Sequence, residues 1–190
     1  METITKRNAE RRKKRRRKTS EVFTPNSLVN DILNKLPEEV WKEEKTFFDP
    51  ACGNGNFLIW ILSRKISKGN LPIEALKTVY GTDIKQDNIR ECRLRLLKVI
   101  SLFEDVEEEH IKIILTNIKW LNSKKWSNGS LDYDMSFKAN FNQSGVDKWY
   151  KEILAGELNK VDLPVEDNDI PENLTDIFNM VGFPNIDEED

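Results

Sequence analysis

An α/β fold with a parallel sheet is predicted by three features of this 190-residue chain. Short segments rich in β-branched and aromatic residues alternate with longer segments whose apolar residues recur every three or four positions. Two of the short segments end in an aspartate, and a glycine-rich turn follows the first of them. Strands that alternate with helices in this way favour parallel pairing with right-handed crossovers.

The first predicted strand covers residues 46–49 and leads through a tight turn into a helix. Phe47 and Phe48 favour a strand, whereas Gly53 and Gly55 in the turn allow positive φ and a close approach of the backbone to a ligand. A strand, a glycine turn and a helix in this order are typical of a site for a nucleotide-like ligand at the carboxyl edge of a parallel sheet.

The remaining elements follow from hydrophobic periodicity and from Gly and Pro breaks. Helices are predicted from Asn26 or Ser27 to Leu36 and at 56–67, 72–77, 86–102 and 146–154. Further strands are predicted at 78–84, at 111–115 with an end at Thr116-Asn117-Ile118, and at 131–137. In the helix at 86–102, three arginines are expected on the outside, namely Arg90, Arg93 and Arg95.

The charge is unevenly distributed, although the net charge is only −3. Residues 1–20 contain ten Lys or Arg and two Glu, which leaves 20 basic and 31 acidic residues, a net charge of −11, in the remainder. From residue 156 onward there are eleven acids and one base. We therefore expect a flexible basic arm at 1–20, a ligand-binding domain at 21–155 and an acidic tail with a short helix at 156–190.

The basic arm is suited to nucleic acid, because neutralising phosphates releases counterions. The alternatives are a solvated tail and an arm that folds back on the acidic C-terminus. The residues expected to contact phosphates are Arg11, Arg12, Lys13, Lys14, Arg15, Arg16, Arg17 and Lys18.

Other classes of protein are disfavoured. Cys52 and Cys92 are far apart in the sequence and lack metal-ligand spacing, so neither a disulfide scaffold nor a metal site is expected. No apolar run reaches the roughly 18 residues of a membrane span, and no apolar segment of a secretory signal follows the basic N-terminus. We expect a cytoplasmic protein.

His110 is expected in a surface loop, and Trp120, Trp126 and Trp149 either stack on bases or pack at the edge of the core.

The spacing of two acids narrows the class of ligand. Asp49 ends the first strand, and Asp83 ends the second after one intervening helix. In a parallel α/β sheet, an acid in the second position can reach ribose hydroxyls bound over the first turn. Because the turn lacks the GxGxxG pattern, it suits a ligand without a pyrophosphate.

Three segments carry a resemblance to the adenine-N6 DNA methyltransferases. Residues 49–57, Asp49-Pro50-Ala51-Cys52-Gly53-Asn54-Gly55-Asn56-Phe57, resemble the S-adenosylmethionine motif of that family, Asp-Pro-Ala-Cys-Gly-x-Gly-x-Phe. The segment Glu21-Val22-Phe23-Thr24-Pro25 resembles the Thr-Pro motif that precedes it in one subclass. The segment Gly81-Thr82-Asp83-Ile84 resembles the next motif, and the resemblance covers about residues 20–118.

The resemblance implies a Rossmann-like methyltransferase fold, here with an incomplete or truncated sheet, and S-adenosylmethionine as the cofactor. It also implies DNA as the substrate and a role in DNA methylation or restriction-modification. It places Asp83 on the ribose, and Asn117 where the family has an Asp near the cofactor adenine. The residues it assigns to cofactor binding are Thr24, Pro25, Asp49, Ala51, Gly53, Gly55, Phe57, Asp83, Ile84 and Asn117.

The family's catalytic motif, Asn/Asp-Pro-Pro-Tyr/Phe, is not intact, because the sequence contains no Pro-Pro pair. The nearest match is Asp134-Met135-Ser136-Phe137, in which Asp134 and Phe137 would hold a flipped base. Tyr133, Met135 and Phe137 could equally alternate on one face of a strand.

Two functions are therefore predicted. The first is an adenine-specific DNA methyltransferase. The second is an inactive S-adenosylmethionine- and DNA-binding subunit that needs a protein partner to complete its site. Methyl transfer to RNA or protein is a third, weaker alternative.

Overall fold

The computed structural model describes residues 24–122, 139, 141–161 and 163, and its centre is a three-stranded parallel sheet. The strands are β1 Phe47–Asp49, β2 Val79–Asp83 and β3 Ile118–Trp120, in the order β1-β2-β3. Asp49 pairs with Gly81, and Asp83 pairs with Trp120. Because the strands are parallel, the ends of all three lie along one carboxyl edge.

Six α-helices surround the sheet in the described residues, namely α1 Asn26–Leu33, α2 Asn56–Ser67, α3 Pro72–Lys77, α4 Gln86–Ile100, α5 Glu108–Asn117 and α6 Gln143–Leu154. Short 3-10 helices cover Glu38–Trp41 and Glu157–Lys160. This arrangement confirms the predicted α/β class, and the three parallel strands of the described residues are consistent with part of a Rossmann-like methyltransferase fold.

The core lies between α2, α4 and the sheet. Leu58 and Leu62 of α2 are fully buried, as are Leu96 and Ile100 of α4. These residues recur at intervals of four, so each helix presents one apolar stripe to the other. Packing of this kind fixes where both helices begin, which is at the carboxyl edge.

The strand predicted at 111–115 is wrong, because these residues belong to α5. Ile111, Ile114 and Leu115 are all buried, and the last two lie three and four positions after the first. A reciprocal cap also starts the helix, since the backbone N–H of Glu107 donates to His110 Nδ1 at 3.0 Å. A short apolar run fits a strand or a buried helix equally well, and here the cap and the spacing favour a helix.

His110 is buried rather than in a surface loop, with 4% of its surface exposed. Its Nε2 lies 2.7 Å from Glu104 Oε1, while Nδ1 caps α5. Both ring nitrogens are therefore engaged, and the histidine has a structural role.

Several predicted segments lie outside the described residues. These are the basic arm at 1–20, residues 21–23 of the Thr-Pro segment, the strand at 131–137 and all but a few residues of the acidic tail. The domain limits remain predictions. Among the helices that the structure describes, none is long and apolar enough to cross a membrane.

Candidate ligand-binding site at the carboxyl edge of the sheet

The turn between β1 and α2, residues 50–55, is called the glycine turn. Gly53 has φ 54° and Gly55 has φ 90°, both in the left-handed region that glycine tolerates. A Cβ at Gly55 would lie 2.7 Å from Cys92 Sγ on α4, so glycine is required there by space as well as by conformation. The turn is fastened to β2, because Cys52 N donates to the Thr82 carbonyl at 2.9 Å.

The two predicted acids lie on neighbouring strands beside this turn. Asp83 Oδ2 accepts from Gly53 N at 3.1 Å, and its Oδ1 accepts from Lys85 N at 2.7 Å. Asp49 Oδ1 accepts from Ala51 N at 3.0 Å. Both carboxylates are half-buried, and each helps to shape the backbone of the turn that lies between them.

The electrostatics of Asp49 reflect its position. Burial raises the pKa of the Asp49 carboxyl, the Ala51 N–H opposes this shift, and the nearby Asp83 carboxylate raises the pKa further. Two carboxylates close together disfavour each other's charged form. The site therefore has a local excess of negative charge that favours hydroxyl or cationic groups of a ligand.

One face of α4 packs against the glycine turn and is hydrogen-bonded to it. Asn54 Nδ2 donates to Glu91 Oε1 at 3.1 Å, and Arg95 Nη1 donates to the Asn54 carbonyl at 3.0 Å. Arg95 is only 2% exposed, so its prediction as an outward-facing residue is wrong. The available signal was the spacing of Glu91, Cys92 and Arg95, which places all three on the side of α4 that faces the turn.

Arg93 was also expected on the solvent-exposed side of α4, but its guanidinium is hydrogen-bonded within the protein. Its Nε and Nη2 donate to the Ile118 carbonyl at 3.0 and 2.6 Å, and burial lowers its pKa to about 10. Its guanidinium also lies 6.0 Å from the ring centre of Trp149, and that of Arg90 lies 5.2 Å away. Trp149 thus packs against α4, which agrees with the core-edge alternative.

Two apolar side chains are exposed beside Asp83. Ile84 is 63% exposed and Trp120 is 61% exposed. Trp120 Nε1 donates to the Ile84 carbonyl at 2.8 Å, which holds the two residues together at the ends of β2 and β3. Exposed apolar surface next to a carboxylate suits a ligand with a flat ring joined to a hydroxyl-bearing group.

The segment before α1 reaches the same edge. The Thr24 carbonyl accepts from Asn56 Nδ2 at 3.0 Å, which attaches this segment to the start of α2. Thr24 is half-buried, whereas Pro25 is exposed and precedes the first turn of α1. Of the other predicted cofactor contacts, Ala51 is exposed and Phe57 is half-buried.

Asn117 is not at this site, contrary to its predicted position near the cofactor adenine. It is the last residue of α5 and precedes β3, so it lies at the amino edge of the sheet. Its Nδ2 donates to the Leu76 and Lys77 carbonyls at 3.3 and 3.1 Å, which satisfies the end of α3. The error follows directly from the misplaced strand, because β3 begins after Asn117 rather than ending at it.

The predicted catalytic residues Asp134 and Phe137 lie outside the described residues, as do the arm residues from Arg11 to Lys18. Within the described part of the chain, no cluster of three or more His, Cys, Asp or Glu side chains could hold a metal ion.

A parallel sheet with two acids around a glycine turn defines a class of nucleoside-binding α/β domains. Sequence comparison makes the assignment more specific: a model of the N-6 DNA Methylase family matches residues 1–152, so the chain belongs to that family. The Type II methyltransferase M.VspI of Vibrio sp. (strain 343) is 30% identical over 110 residues, which cover 52% of this chain and 24% of the relative. The chain thus spans about a quarter of the length of that relative. No solved structure matches.

Proposed function

We propose that this chain is an S-adenosylmethionine-dependent DNA methyltransferase of the adenine-N6 type, which transfers a methyl group to a flipped adenine. The observation that carries the proposal is the placement of Asp49 and Asp83 on either side of a glycine turn with two positive-φ glycines. Membership of the N-6 DNA Methylase family supports it.

The described residues fit S-adenosylmethionine. Asp49 accepts a single hydrogen bond within the described part of the chain, and a carboxylate has about four acceptor sites, so capacity remains for a ligand. Asp83 would accept from the ribose hydroxyls, and Ile84 with Trp120 would cover the adenine ring. The other residues proposed to line the cofactor site are Thr24, Pro25, Ala51, Gly53, Gly55 and Phe57.

Asn122 is proposed to contact the cofactor adenine in place of Asn117. It is exposed and is the first polar side chain after the carboxyl end of β3. Because β3 lies next to β2, this end of the strand is beside Asp83 and Ile84. An Asn side chain can both donate to and accept from an adenine edge.

The chemistry needs alignment more than acid–base catalysis. The bound cofactor supplies an electrophilic methyl group, and transfer is direct. The protein has to hold the acceptor nitrogen in line with that methyl group and to exclude water. We assign base binding to Asp134, which would accept from the adenine amino group, and to Phe137, which would stack on the ring.

A second candidate is an inactive subunit that binds S-adenosylmethionine and DNA. The observation that favours it is the lack of any Pro-Pro pair, and therefore of the catalytic motif, in the 190 residues. In that case a protein partner would supply the base-binding residues and target recognition.

The deciding experiment is calorimetric titration with S-adenosylmethionine, followed by methyl transfer to duplex DNA with adenine as the assayed base. Asp83→Asn should weaken cofactor binding about thirtyfold, because a charge-assisted acceptor is removed. Asp105→Asn is the matched control, since Asp105 is exposed on the loop beyond the far end of α4. Absence of binding by the wild-type chain would reject both candidates, and equal affinity of the two variants would reject the ribose assignment.

Methyl transfer separates the candidates. Asp134→Ala should abolish transfer and spare cofactor binding if the chain is an active enzyme. Binding without transfer to any duplex, even with added partner subunits, would instead support the second candidate.

The basic arm is proposed to bind DNA phosphates. Removing residues 1–18 should reduce the slope of log K against log salt by about 0.9 for each phosphate that the arm neutralises. An unchanged slope would show that the arm does not bind DNA.

A further inference from the structure

Asn56, the first residue of α2, joins two segments that meet at the carboxyl edge. Its Nδ2 donates to the Thr24 carbonyl at 3.0 Å, and its Oδ1 accepts from Arg95 Nη1 at 2.8 Å. The same Arg95 nitrogen donates to the Asn54 carbonyl at 3.0 Å. Asn56 therefore connects the segment before α1 to the glycine turn, and Arg95 holds both Asn56 and the turn from α4.

Hydrogen-bond chemistry fixes the orientation of this amide. A guanidinium only donates and a backbone carbonyl only accepts, so Oδ1 has to face Arg95 and Nδ2 has to face Thr24. Arg95 is 2% exposed and bonded to the backbone of the turn, which leaves its guanidinium little freedom to move. A short side chain with both a donor and an acceptor is needed at position 56, and an aspartate there would lack the donor.

We propose that Asn56 and Arg95 are positioning residues, which set the distance between Thr24 and the glycine turn and thereby the affinity for the ligand bound between them. The proposal rests on the proposed function, in which that ligand is S-adenosylmethionine. Neither residue has to touch the cofactor. Asn56 acts through Thr24, and Arg95 acts through Asn56 and Asn54.

Asn56→Asp in the full chain separates positioning from folding. The variant keeps an acceptor for Arg95 and adds a negative charge at the N-terminus of α2, which favours the helix. It has no N–H for the Thr24 carbonyl, and the two oxygens repel each other. We expect an unchanged or higher Tm together with about tenfold weaker binding of S-adenosylmethionine.

Asn70→Asp is the matched control at the other end of α2, about 18 Å along the helix axis. Asn70 Nδ2 donates to the Trp41 and Lys65 carbonyls at 2.9 and 2.6 Å, so this variant also loses a donor to the backbone. We expect a lower Tm and unchanged cofactor affinity. A purely structural role for Asn56 would instead make affinity follow stability in both variants.

The new charge of Asn56→Asp is controlled with S-adenosylhomocysteine, which lacks the sulfonium charge. Positioning predicts that both ligands lose affinity by the same factor. A direct electrostatic effect would change the two affinities differently and would overturn the proposal, as would wild-type affinity in Asn56→Asp.

Hydrogen exchange provides a readout that needs no ligand. In Asn56→Asp, amides of residues 24–33 should exchange faster, whereas those of residues 58–67 should not. Unchanged exchange over residues 24–33 would show that the hydrogen bond from Asn56 to Thr24 does not hold this segment in place, and would overturn the proposal. If the wild-type chain bound no S-adenosylmethionine while exchange changed as expected, the proposed function would fail and the bridge from Asn56 to Thr24 would stand.

Discussion

The two ends of α2 each have a glycine with positive φ, but they differ in how far their polar side chains are hydrogen-bonded within the protein. Gly55 precedes the helix and Gly69 follows it, and both have φ 90°. At the end near Gly55, the Asp49 carboxylate is half-buried and accepts one hydrogen bond within the described residues, so it has acceptor capacity to spare. At the end near Gly69, the Lys65 ammonium group and the Asn70 side-chain amide both donate to partners within the protein. The comparison indicates that unused hydrogen-bonding capacity, rather than the presence of polar residues, distinguishes the proposed ligand site from the other end of the helix.

Lys65 is the centre of the end near Gly69. It is fully buried, and its ammonium group donates to the Glu43 carbonyl at 3.1 Å, the Lys45 carbonyl at 2.7 Å and Thr78 Oγ1 at 2.7 Å. All three of its N–H donors therefore have partners. Burial lowers the pKa of Lys65, which is the cost of placing a cation there. With no donor left for a ligand, Lys65 and its three acceptors form a structural cluster that joins α2 to the loop before β1 and to Thr78, the residue before β2.

The largest expected loss of stability comes from a substitution that removes the hydrogen bonds of Lys65. Lys65→Met keeps most of the side-chain volume but leaves two carbonyls and the Thr78 hydroxyl without their donor, so the free energy of unfolding should fall by about 4 kcal/mol. Urea unfolding measures the loss. The fraction that remains folded should bind S-adenosylmethionine with wild-type affinity, and a parallel loss of affinity would contradict the division between the two ends.

An intermediate effect is expected from alanine at the two glycines. Gly55→Ala and Gly69→Ala should each lose about 1 kcal/mol, because both residues have positive φ. Only Gly55→Ala places a Cβ against Cys92, whereas no atom of the described residues lies within 4 Å of a Cβ at Gly69. Overpacking should cost Gly55→Ala about 1 kcal/mol more and should distort the glycine turn.

Thermal unfolding and cofactor titration of this pair test the comparison directly. Gly55→Ala should lose cofactor binding, and Gly69→Ala should keep it. Equal losses of affinity in the two variants would mean that the two ends of α2 are not functionally distinct.

The smallest change in stability is expected from Asp49→Asn, and the informative result is whether this variant is more or less stable than the wild type. The pKa of Asp49 is raised above its ordinary value of 3.8, so the folded state retains a proton that the unfolded chain releases between the two pKa values. The contribution of this carboxyl to stability is therefore greatest at low pH and falls as pH rises through the raised pKa.

Asp49→Asn removes that penalty and should be more stable than the wild type at neutral pH, with the difference disappearing at low pH. Urea unfolding from about pH 3 to pH 7 measures this difference. Cofactor affinity should fall in the same variant. A variant that is less stable than the wild type at neutral pH would show that Asp49 has a structural role like that of Lys65.

The sequence was sufficient for much of the structure around the proposed cofactor site. The bounds predicted for α2 and α3 agree with the structure, and those of β1 and β2 agree within a residue at each end. These segments combine a clear periodicity with Gly and Pro breaks, so local signals agree with one another. Asp49 and Asp83 were placed at the carboxyl edge because parallel strands bring their ends together.

The errors have a common physical origin. Ile111 to Leu115 is too short a run to distinguish a strand from a buried helix, and the cap formed by Glu107 and His110 uses a histidine where Glu or Gln is usual. Misplacing that element moved Asn117 to the wrong edge. Arg95 was assigned to solvent because charged residues are seldom buried, and its burial depends on acceptors in the glycine turn.

Local sequence thus determines β1, β2, the glycine turn and the two acids, because periodicity and backbone freedom are properties of neighbouring residues. Tertiary structure alone decides which polar groups meet. Arg95 and Asn56 are 39 positions apart, and Asn117 and Lys77 are 40 apart. A polar group is stable in the interior only when such a distant partner satisfies it, so burial of Arg95, Lys65 and Asn117 becomes visible only in the folded chain.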